Sequence, residues 1–141
     1  MIKYKDLKKI AQTRFKEAKV LYKNQLYDGC VYLCGYVVEV SLKARICKTL
    51  NIDLYPDDDK NLRGFFSSHD FDRLLLLSGL QNEINALKNP RLFTNWSLLT
   101  KWKPESRYTP IGTYKKQNAI DLINALSEKD SGFYKWIKKI W

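Results

Sequence analysis

Leu7, Ala11, Arg14, Ala18 and Leu21 recur at steps of three and four, the spacing of one helical face, and predict a first helix. Lys8, Lys9, Lys16, Lys19 and Lys23 fall largely off that seam. The stretch Asn24 to Asp28 reads as a turn, with Asp28 suited to cap the helix that follows. That second helix spans about residues 29–51, and from Gly29 to Val38 it carries no charge on any side. Such a segment is expected to be buried nearly all round, at the centre of a small domain or between two subunits. Gly35 weakens the helix and is expected to allow close approach of a neighbouring backbone. Glu39 interrupts the apolar run within Val37-Val38-Glu39-Val40. A carboxylate there needs a partner, and Lys43, four residues on, or Arg14, on the seam of the first helix, would serve as its structural ion pair.

Residues 53–68 read as a loop with Pro56 and the acidic run Asp57-Asp58-Asp59. Ser67-Ser68-His69-Asp70 opens a third helix, with Ser67 or Ser68 as cap, Asp70 in the first turn and Gly79 as the stop. Leu80, Ile84 and Leu87 predict a short fourth helix. Asn89-Pro90 restarts the chain as cap and first-turn proline, and Leu92, Phe93, Trp96, Leu99 and Trp102 continue with helical spacing. A loop from Lys103 to Gly112 follows. The last helical pattern begins near Thr113 and keeps phase across Gly132 to Ile140, as one long helix or two pieces. No β-alternation of useful length occurs, so the chain reads as a single all-α bundle.

Composition narrows the chemistry. The 141 residues have room for one domain, and the longest charge-free run is too short to span a membrane. Three cysteines give no disulfide framework, and a cytoplasmic, soluble protein is expected. With His69 as the only histidine, one chain cannot build a two-histidine metal site; the six scattered glycines form no phosphate-cradling loop, and no cofactor is expected. Any histidine chemistry belongs to His69.

The segment Tyr27-Asp28-Gly29-Cys30-Val31-Tyr32-Leu33-Cys34-Gly35-Tyr36-Val37-Val38-Glu39-Val40-Ser41-Leu42-Lys43-Ala44 resembles the second helix of the HEPN domain family. Arg14-Phe15-Lys16-Glu17-Ala18, His69-Asp70-Phe71 and Arg107-Tyr108 resemble further elements of that family in the expected order, over roughly residues 4–127. The resemblance implies an up-and-down bundle of four to five helices, usually a homodimer, with residues 128–141 as an added basic and aromatic helix. It also implies association with RNA or nucleotides. A large subset of the family are metal-independent endoribonucleases, often of toxin–antitoxin type, that use an arginine, a gap of four to six residues and a histidine. Arg63 and His69 match that spacing, although Gly64 stands where a polar residue is usual. The alternative is a non-catalytic nucleotide-binding or docking module paired with a minimal nucleotidyltransferase.

The chemistry of metal-free RNA cleavage explains why these residue types matter. The 2′-hydroxyl must lose a proton, the leaving oxygen must gain one, and charge on phosphorus must be stabilised. Histidine suits both proton transfers near neutral pH, and arginine offers a forked, permanently charged donor. One histidine is half of such a site, and a two-fold dimer supplies the other half. The alternative role for His69 is structural, donating to a loop carbonyl to fix the turn.

Charge is unevenly placed. The net charge is +10, yet residues 52–86 hold seven acids and three bases. The excess lies in residues 1–23, in the C-terminal segment and in residues 101–116, where five bases meet one acid. Separated basic patches favour a phosphate backbone or an acidic partner. Lys101, Lys103, Arg107 and Tyr108 are the nucleic-acid-binding candidates, with Trp96 and Trp102 as stacking surfaces or as core. The tail Phe133 to Trp141 is amphipathic and expected to pack on the first helix or a dimer mate rather than on a membrane.

Overall fold

Two long helices, α1 (Tyr4–Lys23) and α2 (Tyr27–Leu50), meet through a tight turn in which Gln25 takes a left-handed conformation. The computed structural model describes residues 1–141. Beyond α2 come α3 (Arg63–Phe66), α4 (Phe71–Ser78), α5 (Pro90–Leu99), α6 (Lys116–Ser127) and α7 (Phe133–Ile137), with 3₁₀ turns at Gln81–Glu83 and Pro104–Tyr108. The only strands are β1 (Ile2–Lys3) and β2 (Leu54–Tyr55), an antiparallel pair with Ile2 opposite Tyr55. The protein is all-α.

Helix α2 is the axis of the bundle, as its charge-free run predicts. Cys30, Cys34, Val37, Val38, Leu42, Ala44, Ile46 and Cys47 are all fully buried, and α1, α4, α6 and α7 pack around them. Leu7, Ala11 and Ala18 of α1 are buried as the periodicity requires, whereas Arg14 turns outward to pair with Glu17 at 2.6 Å. The segment 128–141 joins the same core through Phe133, Tyr134 and Ile137.

Several local expectations are corrected. Asp28 lies inside the first turn of α2 instead of capping it, and its carboxylate accepts from the Gly112 and Tyr114 amides at 2.6 and 2.9 Å. It thereby ties the long loop before α6 to the start of α2. Asp70, not Ser67 or Ser68, caps α4, accepting from the Asp72 and Arg73 amides, while the Ser68 hydroxyl accepts from the Asp70 amide. The fourth helix expected from Leu80, Ile84 and Leu87 shrinks to a 3₁₀ turn. The Asn85 side chain takes the Leu87 amide at 2.7 Å in competition with the helical ladder, and Leu87 is left in solvent. The final helical pattern resolves into two pieces. Glu128 turns aside between them to meet Arg91 at 2.8 Å and Asn95 at 3.1 Å, and a Cβ on Gly132 would lie 2.4 Å from the Glu128 nitrogen. Arg91, with Asn95, holds the Glu128 carboxyl below the usual carboxylate range. Its contribution to stability is therefore present at neutral pH and lost as pH falls through the acid range.

Gly35 does serve a close approach, but to a side chain. The Trp102 indole lies flat on it, so that a Cβ there would sit 1.9 Å from Trp102 Cε2. Trp102 also stacks on Phe71 at 5.4 Å with a 2° interplanar angle. Trp96 contacts Phe133 and Phe71. Both tryptophans are core residues, only 5% and 9% exposed.

Gly35→Ala is expected to destabilise the fold by about 2–3 kcal/mol through overpacking against Trp102, read by urea unfolding. Gly35→Ala with Trp102→Phe should regain part of that loss; an undiminished loss in the pair would place the strain elsewhere. The three cysteines are free and buried, and burial, with Asp53, pushes the Cys47 thiol up to about 11. At about pH 8 the native protein should react with an aromatic disulfide reagent far more slowly than the unfolded chain.

Candidate functional site

Glu39 lies on the face of α2 that meets α4 and β2, and its side chain is only 4% exposed. Its two oxygens have separate partners. Oε1 accepts from Lys43 Nζ at 2.8 Å, and Oε2 lies 2.8 Å from His69 Nδ1. The i, i+4 spacing on α2 brings Lys43 there, as expected, while Arg14 has no part in the pair. Lys43 is itself nearly buried and stands 5.4 Å from the Tyr55 ring centre. Tyr55 is fully buried and donates its hydroxyl to the Phe66 carbonyl at 2.8 Å, fixing the chain just before His69.

His69 sits immediately before the Asp70 cap of α4. It bonds to a buried carboxylate, not to a loop carbonyl, and half of it stays open, with 51% of the side chain exposed. A carboxylate accepts only, so Nδ1 is the donor of the neutral ring and Nε2 keeps its lone pair. That nitrogen is the one free to take a proton from a substrate. His69 also lines an open cleft of about 410 Å³ together with Asp72, Thr100, Trp102, Lys103 and Glu105.

A second group of side chains joins the same face of α2 one and two turns earlier. The Tyr32 hydroxyl donates to that of Tyr36 at 3.2 Å, and both rings pack against Trp102. Burial, the Tyr32 hydroxyl and the Glu39 charge push Tyr36 up to about 12, so it remains a hydrogen-bond donor at neutral pH. Arg107, carried by the 3₁₀ turn Pro104–Tyr108, lies beside the Tyr32 hydroxyl and 4.8 Å from the Tyr108 ring centre; these hydroxyls hold its pKa above the ordinary arginine value. Tyr108 is 77% exposed.

The sequence-predicted residues therefore divide. His69, Lys103, Arg107, Glu39 and Lys43 gather around one side of α2 and the adjoining cleft. Lys101 instead lines the groove between α5 and α6 with Asp121. The side chain of Arg63, on the exposed side of α3, makes no hydrogen bond or ion pair with His69 or any other residue, and only its carbonyl is engaged, accepting from the Ser67 amide at 3.1 Å; α3 is attached through Arg73, which donates to the Gly64 carbonyl at 3.0 Å. Two features escaped sequence reading, the Glu39–His69 bond and the Tyr32–Tyr36 pair. The i, i+4 tyrosines were visible as a pattern on α2, whereas the bond from residue 39 to residue 69 follows only from how α4 docks.

The all-α bundle thus presents a histidine held by a buried carboxylate, with cationic side chains nearby. The sequence model of the HEPN domain matches residues 4–139, and the chain belongs to that family. Membership points to a nucleotide- or RNA-related function. No curated protein and no solved structure shows significant similarity to the chain. No helix is long and apolar enough to cross a membrane.

Removing one partner of a buried pair leaves the other uncompensated. Glu39→Gln is expected to lower stability by about 3 kcal/mol in thermal or urea unfolding, and Glu39→Gln with Lys43→Met to recover most of it. Equal losses in the single and double variants would show that Lys43 does not depend on Glu39.

Proposed function

We propose that this protein is a metal-independent endoribonuclease in which His69 exchanges protons with RNA and Glu39 orients it. The observation that carries the reading is the half-exposed imidazole bonded through Nδ1 to a buried carboxylate at 2.8 Å. A carboxylate in that position fixes the tautomer and stabilises the imidazolium formed when Nε2 accepts a proton. The proton comes from the 2′-hydroxyl as its oxygen attacks the adjacent phosphorus. The bond from phosphorus to the 5′-oxygen breaks, a 2′,3′-cyclic phosphate forms, and the leaving oxygen takes up a proton.

Arg107 and Lys103 supply positive charge beside the cleft, suited to the phosphoryl oxygens. Arg63, unpaired and exposed, is a further cation for RNA. The chain has one histidine, so the proton for the leaving group is assigned to His69 of a second copy in a homodimer. The fit to a non-catalytic module, docked to a minimal nucleotidyltransferase, rests on the lack of a bond between Arg63 and His69.

In EDTA the wild type is expected to cleave RNA and leave 2′,3′-cyclic phosphate ends. His69→Ala should lose at least about a hundredfold in rate, and Arg107→Ala should lose chiefly by a raised KM. Binding of RNA without cleavage by the wild type would select the docking-module reading. Sedimentation should give a dimer at micromolar concentration, and a monomer active in cleavage would remove the need for the second histidine.

A further inference from the structure

The six lysines of α1, at 5, 8, 9, 16, 19 and 23, all project within the arc between Lys8 and Lys9, about 100° at 3.6 residues per turn. Asp6, Glu17 and Arg14 fall outside that arc, and Arg14 and Glu17 pair with each other. None of the six lysines has a carboxylate partner; the ion pairs of the chain involve Met1, Arg14, Lys43, His69, Lys88 and Arg91.

One edge of this stripe borders an aromatic seam where α1 meets the C-terminal segment. Phe15 packs on Tyr134 at 5.1 Å, and Tyr134 on Trp141 at 5.8 Å. Lysines are mounted along the seam: Lys8 over Tyr4 at 4.4 Å and near Trp141 at 5.9 Å, Lys19 over Phe15 at 4.7 Å, and Lys138 over Tyr134 at 5.1 Å. Two basic regions that are more than a hundred residues apart in sequence thus form one surface. It shares no residue with the His69 cleft.

We infer that this lysine-bearing α1–α7 surface is a second docking site, which holds the phosphodiester backbone of RNA away from the His69 cleft. The inference rests on the reading of the protein as RNA-associated. Charge complementarity selects the occupant: a row of ammonium groups without counter-charges gains by releasing the cations condensed on a polyanion. The ring contacts restrain the lysine stems and lessen the cost of ordering them. A membrane is disfavoured because Phe133, Tyr134 and Ile137 of α7 point into the core and Trp136, Ile140 and Trp141 are themselves partly buried against it, so no strongly exposed apolar side chain of this segment is left to insert. An acidic protein is disfavoured because Val20 is the only large apolar side chain of α1 that is strongly exposed, too little for a buried interface centre.

The test is fluorescence anisotropy of the full chain with a labelled 2′-O-methyl RNA of about 20 nucleotides, which binds but has no free 2′-hydroxyl to attack, across a salt series. Lys8→Gln/Lys16→Gln/Lys19→Gln/Lys138→Gln, checked for fold by circular dichroism, should bind at least about tenfold more weakly. Its slope of log K against log salt should be shallower by about 3. Lys60→Gln/Lys88→Gln, which removes charge elsewhere, should lose less per charge removed. RNA binding by the wild type that the fourfold variant retains in full would overturn this site and leave the RNA reading standing. No RNA binding by the wild type would overturn both. A fourfold variant that keeps its RNA affinity but loses binding to phosphatidylcholine–phosphatidylserine vesicles would assign the surface to lipid and also overturn the inference.

Discussion

A carboxylate inside the most deeply buried helix of a small bundle has to be neutralised, and the surroundings of Glu39 follow from that requirement. Its two oxygens need two donors. Lys43 provides one from the same helix, at a spacing the helical repeat guarantees. The other comes from His69, which requires α4 to begin at a particular height along α2. The Asp70 cap and the Tyr55 bond to the Phe66 carbonyl fix that height. The ion pair therefore joins the core to the site. The bond that satisfies a buried charge is the same bond that leaves one imidazole nitrogen free toward the cleft.

The other side of the site depends on a contact of shape. Gly35 leaves a depression on α2 that the Trp102 indole fills, and the Phe71 ring stacks on the same indole. This packing sets the exit direction of the chain after α5. It carries the 3₁₀ turn at Pro104–Tyr108 over α2, which brings Arg107 beside Tyr32 and Lys103 beside His69. Asp28 secures the far end of that loop by accepting two backbone amides. Residues with exposed cationic side chains are thus held by buried or capped neighbours, an economical way to keep a polar cleft ordered.

Charge is organised in a complementary manner. The acids are concentrated in the segment between α2 and α5, where they cap α4, meet the N-terminal ammonium or remain solvated. The lysines of α1 are left without such partners and lie together on one side of their helix. The uneven placement of charge along the chain is thus kept in the fold, where the lysines of α1 share one side of their helix.

Periodicity alone determined the all-α class, the two long helices and the buried course of α2, and it offered Lys43 beside Arg14 as the partner of Glu39, because these depend on spacings within one helix; the outward turn of Arg14 to Glu17 left the pair to Lys43. Asn89-Pro90 and Gly79 likewise marked helix ends through local backbone chemistry. Other features were decided only when helices met. Trp96 and Trp102 have the same spacing whether they line a core or a surface, and packing on Phe71, Phe133 and Gly35 placed them inside. His69 was legible as the sole histidine, but its partner was not, since a bond across 30 residues of chain is set by the docking of α4 on α2. The union of α1 with α7, and the separation of Lys101 from Arg107, have the same origin. Within a helix the backbone hydrogen-bond ladder fixes which residues are neighbours, whereas between helices only the packing of side chains does.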